Sequence, residues 1–251
     1  MRGDFGPRAD RPARDERPRY DDPEIPEGVD GRQLDRSAWN ELRTLSAENQ
    51  AFVGAHLVMA GRLIDSDPPL AHRHARSAAR KGGRVGVVRE TLGITAYAVG
   101  DFALALRELR TYRRMTGRDD ELPLMVDSER GLGRSQRALE LGRSVDRAAL
   151  EPAVRVELAI AMSGARLDLA QPEAALHELE IPELDRDRAF PWSPALFGAY
   201  ATVLEDLGRG PEAAEWARLA RVAAAALEPE EDEDLVTIVE ESGDEDDPAG
   251  R

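Results

Sequence analysis

The residues able to do chemistry are few, and their spacing limits what they can do. His72 and His74 form an HxH pair. On a helix, side chains two apart point to opposite sides, so the pair cannot converge on one metal ion and reads as two surface histidines. His56 and His177 stand alone, and no HExxH, GxSxG or GxxxxGK[ST] pattern occurs. Residues 82–86, GGRVG, resemble a phosphate loop only loosely. They lack the preceding strand and the following GK, which leaves a turn between helices. The chain has no cysteine, which removes thiolate catalysis, disulfides and cysteine metal sites together and suits a reducing compartment. Carboxylates are abundant, but nothing pairs two of them in an apolar pocket. The expectation is therefore no catalytic residue, no metal, no cofactor and no enzymatic activity.

Composition bounds what the elements around these residues can be. The 251 residues are 41% hydrophobic and 33% charged, enough apolar material for one moderate core or one continuous elongated one. No run approaches the roughly 18 to 20 apolar residues of a membrane-spanning helix. The first thirty residues carry charge where a signal peptide carries an apolar segment, and a cytoplasmic location is expected. The formal net charge of −15 is concentrated at one end, because residues 228–251 hold twelve acids against one arginine, leaving only −4 for the rest. Lys81 is the single lysine against 33 arginines, a bias that codon usage in a GC-rich genome explains.

Three segments follow. Residues 1–33 contain five prolines, four glycines and many charges, too little apolar surface to offset their ordering entropy, and are expected to be a disordered Arg/Pro-rich tail. The RGD tripeptide at residues 2–4 reads as chance. Residues 34–227 return apolar side chains every three and four positions, without alternating β-branched runs, which predicts an all-α domain. Pro123, Pro152, Pro172, Pro194 and Pro211 each precede such a run, where the missing N–H costs nothing. Gly82, Gly83, Gly100, Gly117, Gly133 and Gly208 separate runs. Residues 228–251 are expected to be a disordered acidic tail enclosing a β-prone island, DLVTIVE. That island reads either as a short motif that adds a strand to a partner's sheet edge or as part of a solubilising tail.

The helical domain repeats itself. DPPLAHRHARSA, GDFALALRELRT, GRSQRALELGRS, AQPEAALHELEI and GRGPEAAEWARL share a turn, a small alanine and an apolar residue about four on. The anchors are Ala71, Ala105, Ala138, Ala175 and Ala213, separated by 34, 33, 37 and 38 residues, a period that marks helix-turn-helix arrays. Small residues at Gly93 and Ala105 let backbones approach, while Phe102 and Leu109 fill space towards the next unit. Trp39, with Leu42 and Leu45, is expected to cap the first unit, and Trp216 to lie in the core.

The stretch RETLGITAYAVGDFALALREL, with Leu92, Gly93, Gly100, Asp101, Phe102, Ala105 and Leu109 in place, resembles the tetratricopeptide repeat (TPR) family. The resemblance covers residues 46–227 and implies a right-handed superhelical solenoid of about five repeats that binds other proteins. It departs from the family in repeat spacing, in lacking most closing prolines and in the extended turn GRLIDSDPPL. The family's groove positions, counted back from each anchor alanine, fall on Val87, Glu90, Ile94 and Tyr97; on Asp120, Pro123, Asp127 and Arg130; on Glu157, Ile160, Gly164 and Leu167; and on Ala195, Gly198, Thr202 and Glu205. Five acids face one arginine there, and the asparagine–lysine clamp that holds a C-terminal carboxylate in some members is missing. The implied role is a non-enzymatic scaffold or adaptor holding a basic or amphipathic segment, with the chain's own arginine-rich N-terminus as the nearest candidate.

A second feature comes from the residues themselves. Arg73, Arg76 and Arg80 recur as Arg107, Arg110 and Arg114 at an offset of 34. Stacked second helices would align them in two rows able to meet phosphates or a carboxylate-rich peptide, or form a solvated face with local salt bridges. With the N-terminal tail, this ladder supports an alternative reading as an RNA-associated factor.

Overall fold

A computed structural model of the chain describes residues 21–227. Among these residues it contains eleven α-helices, three short 3-10 helices and no strand. Residues 1–20 of the expected Arg/Pro-rich tail and residues 228–251 of the expected acidic tail, with its DLVTIVE island, lie outside the described residues. By contacts the chain divides into two units, Met1–Glu178 and Leu179–Arg251. Among the described residues no helix is long and apolar enough to cross a membrane.

After α1 (Arg36–Glu41), the first unit runs through α2 (Ala47–Leu63), α3 (Pro68–Gly82), α4 (Gly86–Ala98), α5 (Phe102–Thr116), α6 (Leu122–Gly131), α7 (Ser135–Gly142) and α8 (Pro152–Asp168) to α9 (Pro172–Leu179). From α2 to α8 each helix packs against the next, and α2, α4, α6 and α8 also touch in succession. The second unit contains the hairpin of α10 (Ser193–Asp206) and α11 (Gly210–Leu227).

The anchor alanines explain why this order repeats. Ala71, Ala105, Ala138, Ala175 and Ala213 are each the fourth residue of their helix, and all are at most 1% exposed. A methyl group is all that fits where a second helix crosses its partner. Next to Ala105, a Cβ on Gly93 would stand 2.5 Å from Leu109 Cδ2. Phe102 fills space towards the following hairpin against Gly131, and Leu109 clusters with Met125 of α6. In the second unit Trp216 is half-buried, edge-on against Phe197 at 5.3 Å, at the margin of the core and not within it as expected.

Hairpin turns use the left-handed backbone that glycine adopts at no steric cost: φ is +76° at Gly100, +70° at Gly133 and +72° at Gly208. After α8 the same place is taken by Ala170 at φ 55°, the one non-glycine with positive φ among the described residues. The GGRVG stretch is the turn between α3 and α4.

One boundary differs from the sequence expectation. Residues 21–33 were expected in a tail, yet they are placed against the first hairpin. Gly31 is buried, and a Cβ on Gly54 of α2 would lie 2.8 Å from its Cα and 2.9 Å from the Trp39 ring. Two glycines thus permit backbone contact beneath Trp39, which packs with Leu34, Leu42, Leu45, Val53 and Leu57. Asp22 accepts a hydrogen bond from Ser77 Oγ at 2.7 Å and pairs with Arg80. Glu41 accepts the Val87 amide at 2.9 Å, satisfying a first-turn N–H of α4.

Candidate functional site

Alternation of first and second helices brings side chains from α4, α6 and α8 onto one face, because these three helices touch in succession. α4 contributes Glu90, α8 contributes Glu157, and the residues entering α6 contribute Asp120 and Glu121. Burial pushes the Glu121 carboxyl up to about 7, and the charges of Glu90, Asp120 and Glu157 add to the effect. Glu90 is also raised, first by burial and then by Asp120, against the opposing Tyr112 hydroxyl and Arg118 guanidinium. Desolvation raises Glu157. The Tyr112 hydroxyl donates to Asp120 at 3.1 Å, and burial beside Glu90 and Asp120 raises its own pKa. Arg118, 2.5 Å from Asp120, is the nearby counter-charge. Among the described residues no three acids or histidines gather as a metal ion requires.

Towards the hairpin turns lies a second cluster, in which one arginine bridges two aspartates. The Tyr97 hydroxyl donates to Asp127 at 2.5 Å, Arg130 bridges Asp127 at 2.5 Å and Asp168 at 2.8 Å, and Ser135 donates to Asp168 at 3.0 Å. Burial and the Asp127 carboxylate push the Tyr97 phenol up to about 12. Asp127, Arg130, Asp168, Ser135 and Arg134 border an open cavity of about 890 Å³. Of the groove residues expected from sequence, Glu90 and Glu157 therefore share one acidic neighbourhood, while Tyr97, Asp127 and Arg130 share a bonded network. Ile94 is half-buried on α4, and Glu205 is exposed on α10 in the second unit. Glu121 was not among the groove positions, although it is the most perturbed acid of the cluster. Its place just before α6 follows from where that helix starts, which residue spacing left uncertain.

All six ladder arginines are exposed on α3 and α5. Several have acidic partners: Arg73 with Asp21 at 3.6 Å, Arg80 with Asp22, Arg107 with Glu108 at 2.8 Å and Arg110 with Glu129 at 2.7 Å. Glu108 and Glu129 are buried, at 2% exposure each, and Arg89 also pairs with Glu108. The ladder therefore provides much of the counter-charge for two buried carboxylates.

The histidines correct two sequence expectations. His72 and His74 do point to opposite sides, but His74 is 1% exposed and its Nδ1 lies 2.8 Å from Nδ1 of His56, itself 1% exposed. His74 is thus a core residue, and His56 is not isolated. One ring donates while the other accepts, which requires that at least one stay neutral. Burial holds both near 4. His72 instead meets Thr95 Oγ1 at 3.2 Å.

Neither the protein-family models nor the curated proteins contain a match to this chain.

Proposed function

We propose that the chain is a TPR-like helical-repeat scaffold, a solenoid of hairpins that holds a basic or amphipathic peptide segment along the acidic face of its first helices. The common position of five anchor alanines and the succession of contacts among α2, α4, α6 and α8 support the repeat reading. The ligand preference rests on one observation: Glu90, Glu121 and Glu157, from three successive hairpins, all have carboxyls raised above their usual value, chiefly by burial, and those of Glu90 and Glu121 also by neighbouring acids. Negative charge gathered against its own repulsion is relieved by a cationic ligand, and a concave acidic wall also speeds encounter with one.

Anisotropy titration with a labelled arginine-rich amphipathic peptide tests this. Binding should weaken with salt, strengthen from pH 5 to pH 8 as Glu121 loses its proton, and fall about tenfold when Glu90→Gln and Glu157→Gln are combined. Equal affinity for the double variant, or binding independent of pH and salt, refutes the proposal.

A further inference from the structure

The arginine ladder contains the same side-chain clip twice. On α3, Ser77 Oγ lies 3.1 Å from the Arg73 carbonyl oxygen, and Arg80 Nη2 donates to Ser77 Oγ at 3.2 Å. On α5, Thr111 Oγ1 lies 2.9 Å from the Arg107 carbonyl oxygen, and Arg114 Nη2 donates to Thr111 Oγ1 at 3.4 Å. Each residue of the second clip is 34 positions after its counterpart. Both use an arginine, then a hydroxyl four residues on, then an arginine three further, so a helical turn sets hydroxyl and guanidinium side by side.

The first clip has an occupant whose chemistry is visible. The chain's own Asp22 takes the Ser77 hydroxyl at 2.7 Å and the Arg80 guanidinium, with Asp21 3.6 Å from Arg73. Pro23, the next residue along, is buried. The second clip opens on a groove of about 480 Å³ lined by Arg107, Arg110, Thr111, Arg114 and Arg134, with the 4% exposed Leu106 beneath. Arg107, Arg110 and Arg134 are engaged with Glu108 or Glu129, whereas among the described residues Arg114 has no acidic partner.

We propose that the Arg107–Thr111–Arg114 clip is a binding site for an acidic peptide segment, one presenting adjacent carboxylates in the way that Asp21 and Asp22 meet the first clip. Thr111 would turn its hydroxyl proton from the Arg107 carbonyl to the incoming carboxylate, and Arg114 would pair with the same group. This site lies on α5 and is independent of the acidic face of α4, α6 and α8.

The test uses the full chain and a labelled peptide with the sequence of residues 20–28, YDDPEIPEG. It should bind in the micromolar to millimolar range, and its counterpart with both aspartates changed to asparagine should not. Arg114→Ala and Thr111→Val should each weaken binding about five- to tenfold. Arg114→Lys should restore part of the loss, and Ser77→Ala should leave the affinity unchanged. Melting of each variant confirms folding, and Arg114→Gln serves where Arg114→Ala is unstable. The proposal is overturned if binding is absent, if both α5 variants bind as wild type, if the asparagine peptide binds equally, or if only orthophosphate or an oligouridine competes for Arg114.

Discussion

Glu121→Gln should stabilise the protein, and only at neutral and alkaline pH. The carboxyl is carried from its usual 4.5 to about 7 in the folded state, so the folded chain holds the proton more tightly than the unfolded chain does. The stability this contributes is fully present below pH 4.5 and is lost as pH rises through 7. At about 1.4 kcal/mol for each tenfold difference in proton affinity, the ceiling is about 3 kcal/mol. Partial solvent access reduces this to about 1 to 2 kcal/mol. For a domain of this size the gain corresponds to about 3 to 6 °C in melting temperature. Glutamine imitates the protonated acid, so the variant should melt with wild type at pH 4.5 and above it at pH 8, the gap opening mainly between pH 5 and 7. Calorimetry across that range reads the effect. A difference that does not vary with pH would refute the reasoning, because it would show that neither burial nor the charges of Glu90, Asp120 and Glu157 raise the Glu121 carboxyl.

The histidine pair should act in the opposite sense. His56 and His74 are held near 4, below their usual 6.5, so the stability they contribute is present above pH 6.5 and lost as pH falls towards 4. Combining His56→Leu and His74→Leu should remove about 2 kcal/mol of acid sensitivity in that window, read as a flatter profile of melting temperature against pH. Ala105→Trp should overpack the α4–α5 seam and cost about 1 to 3 kcal/mol in chemical denaturation, and unchanged melting would count against the packing role. Ala170→Gly should gain about 0.5 to 1 kcal/mol by releasing a left-handed alanine, seen as a higher denaturation midpoint.

The part of the fold that was legible from sequence was the part set by local spacing. Alanine recurrence located five second helices because each crossing needs a small residue one turn into the helix. Gly100, Gly133 and Gly208 marked turns by a backbone conformation that few other residues tolerate, and Ala170 went unmarked because alanine carries no such signal. The histidine pair joins side chains 18 residues apart and the Asp22–Ser77 bond residues 55 apart, so neither had a periodic trace. Residues 21–33 read as tail because they are poor in apolar groups, yet two glycines and one carboxylate are enough to seat them. The singling out of Glu90 and Glu157 followed from positions that the TPR resemblance implies. Glu121 did not, since its environment comes from the burial and neighbours that packing creates.

The contact of Gly31, Trp39 and Glu41 with the first two hairpins bears on how this polypeptide can be shortened. A version beginning at Ser46, where the repeat period alone would place the first cut, would strip the cover from Val53 and Leu57 and take Asp22 from Arg80. It would also leave the Val87 amide without its carboxylate, so fraying would begin at the helix that carries Glu90. Any expression boundary chosen by repeat count would therefore loosen the acidic face of α4, α6 and α8 while appearing to remove only a tail.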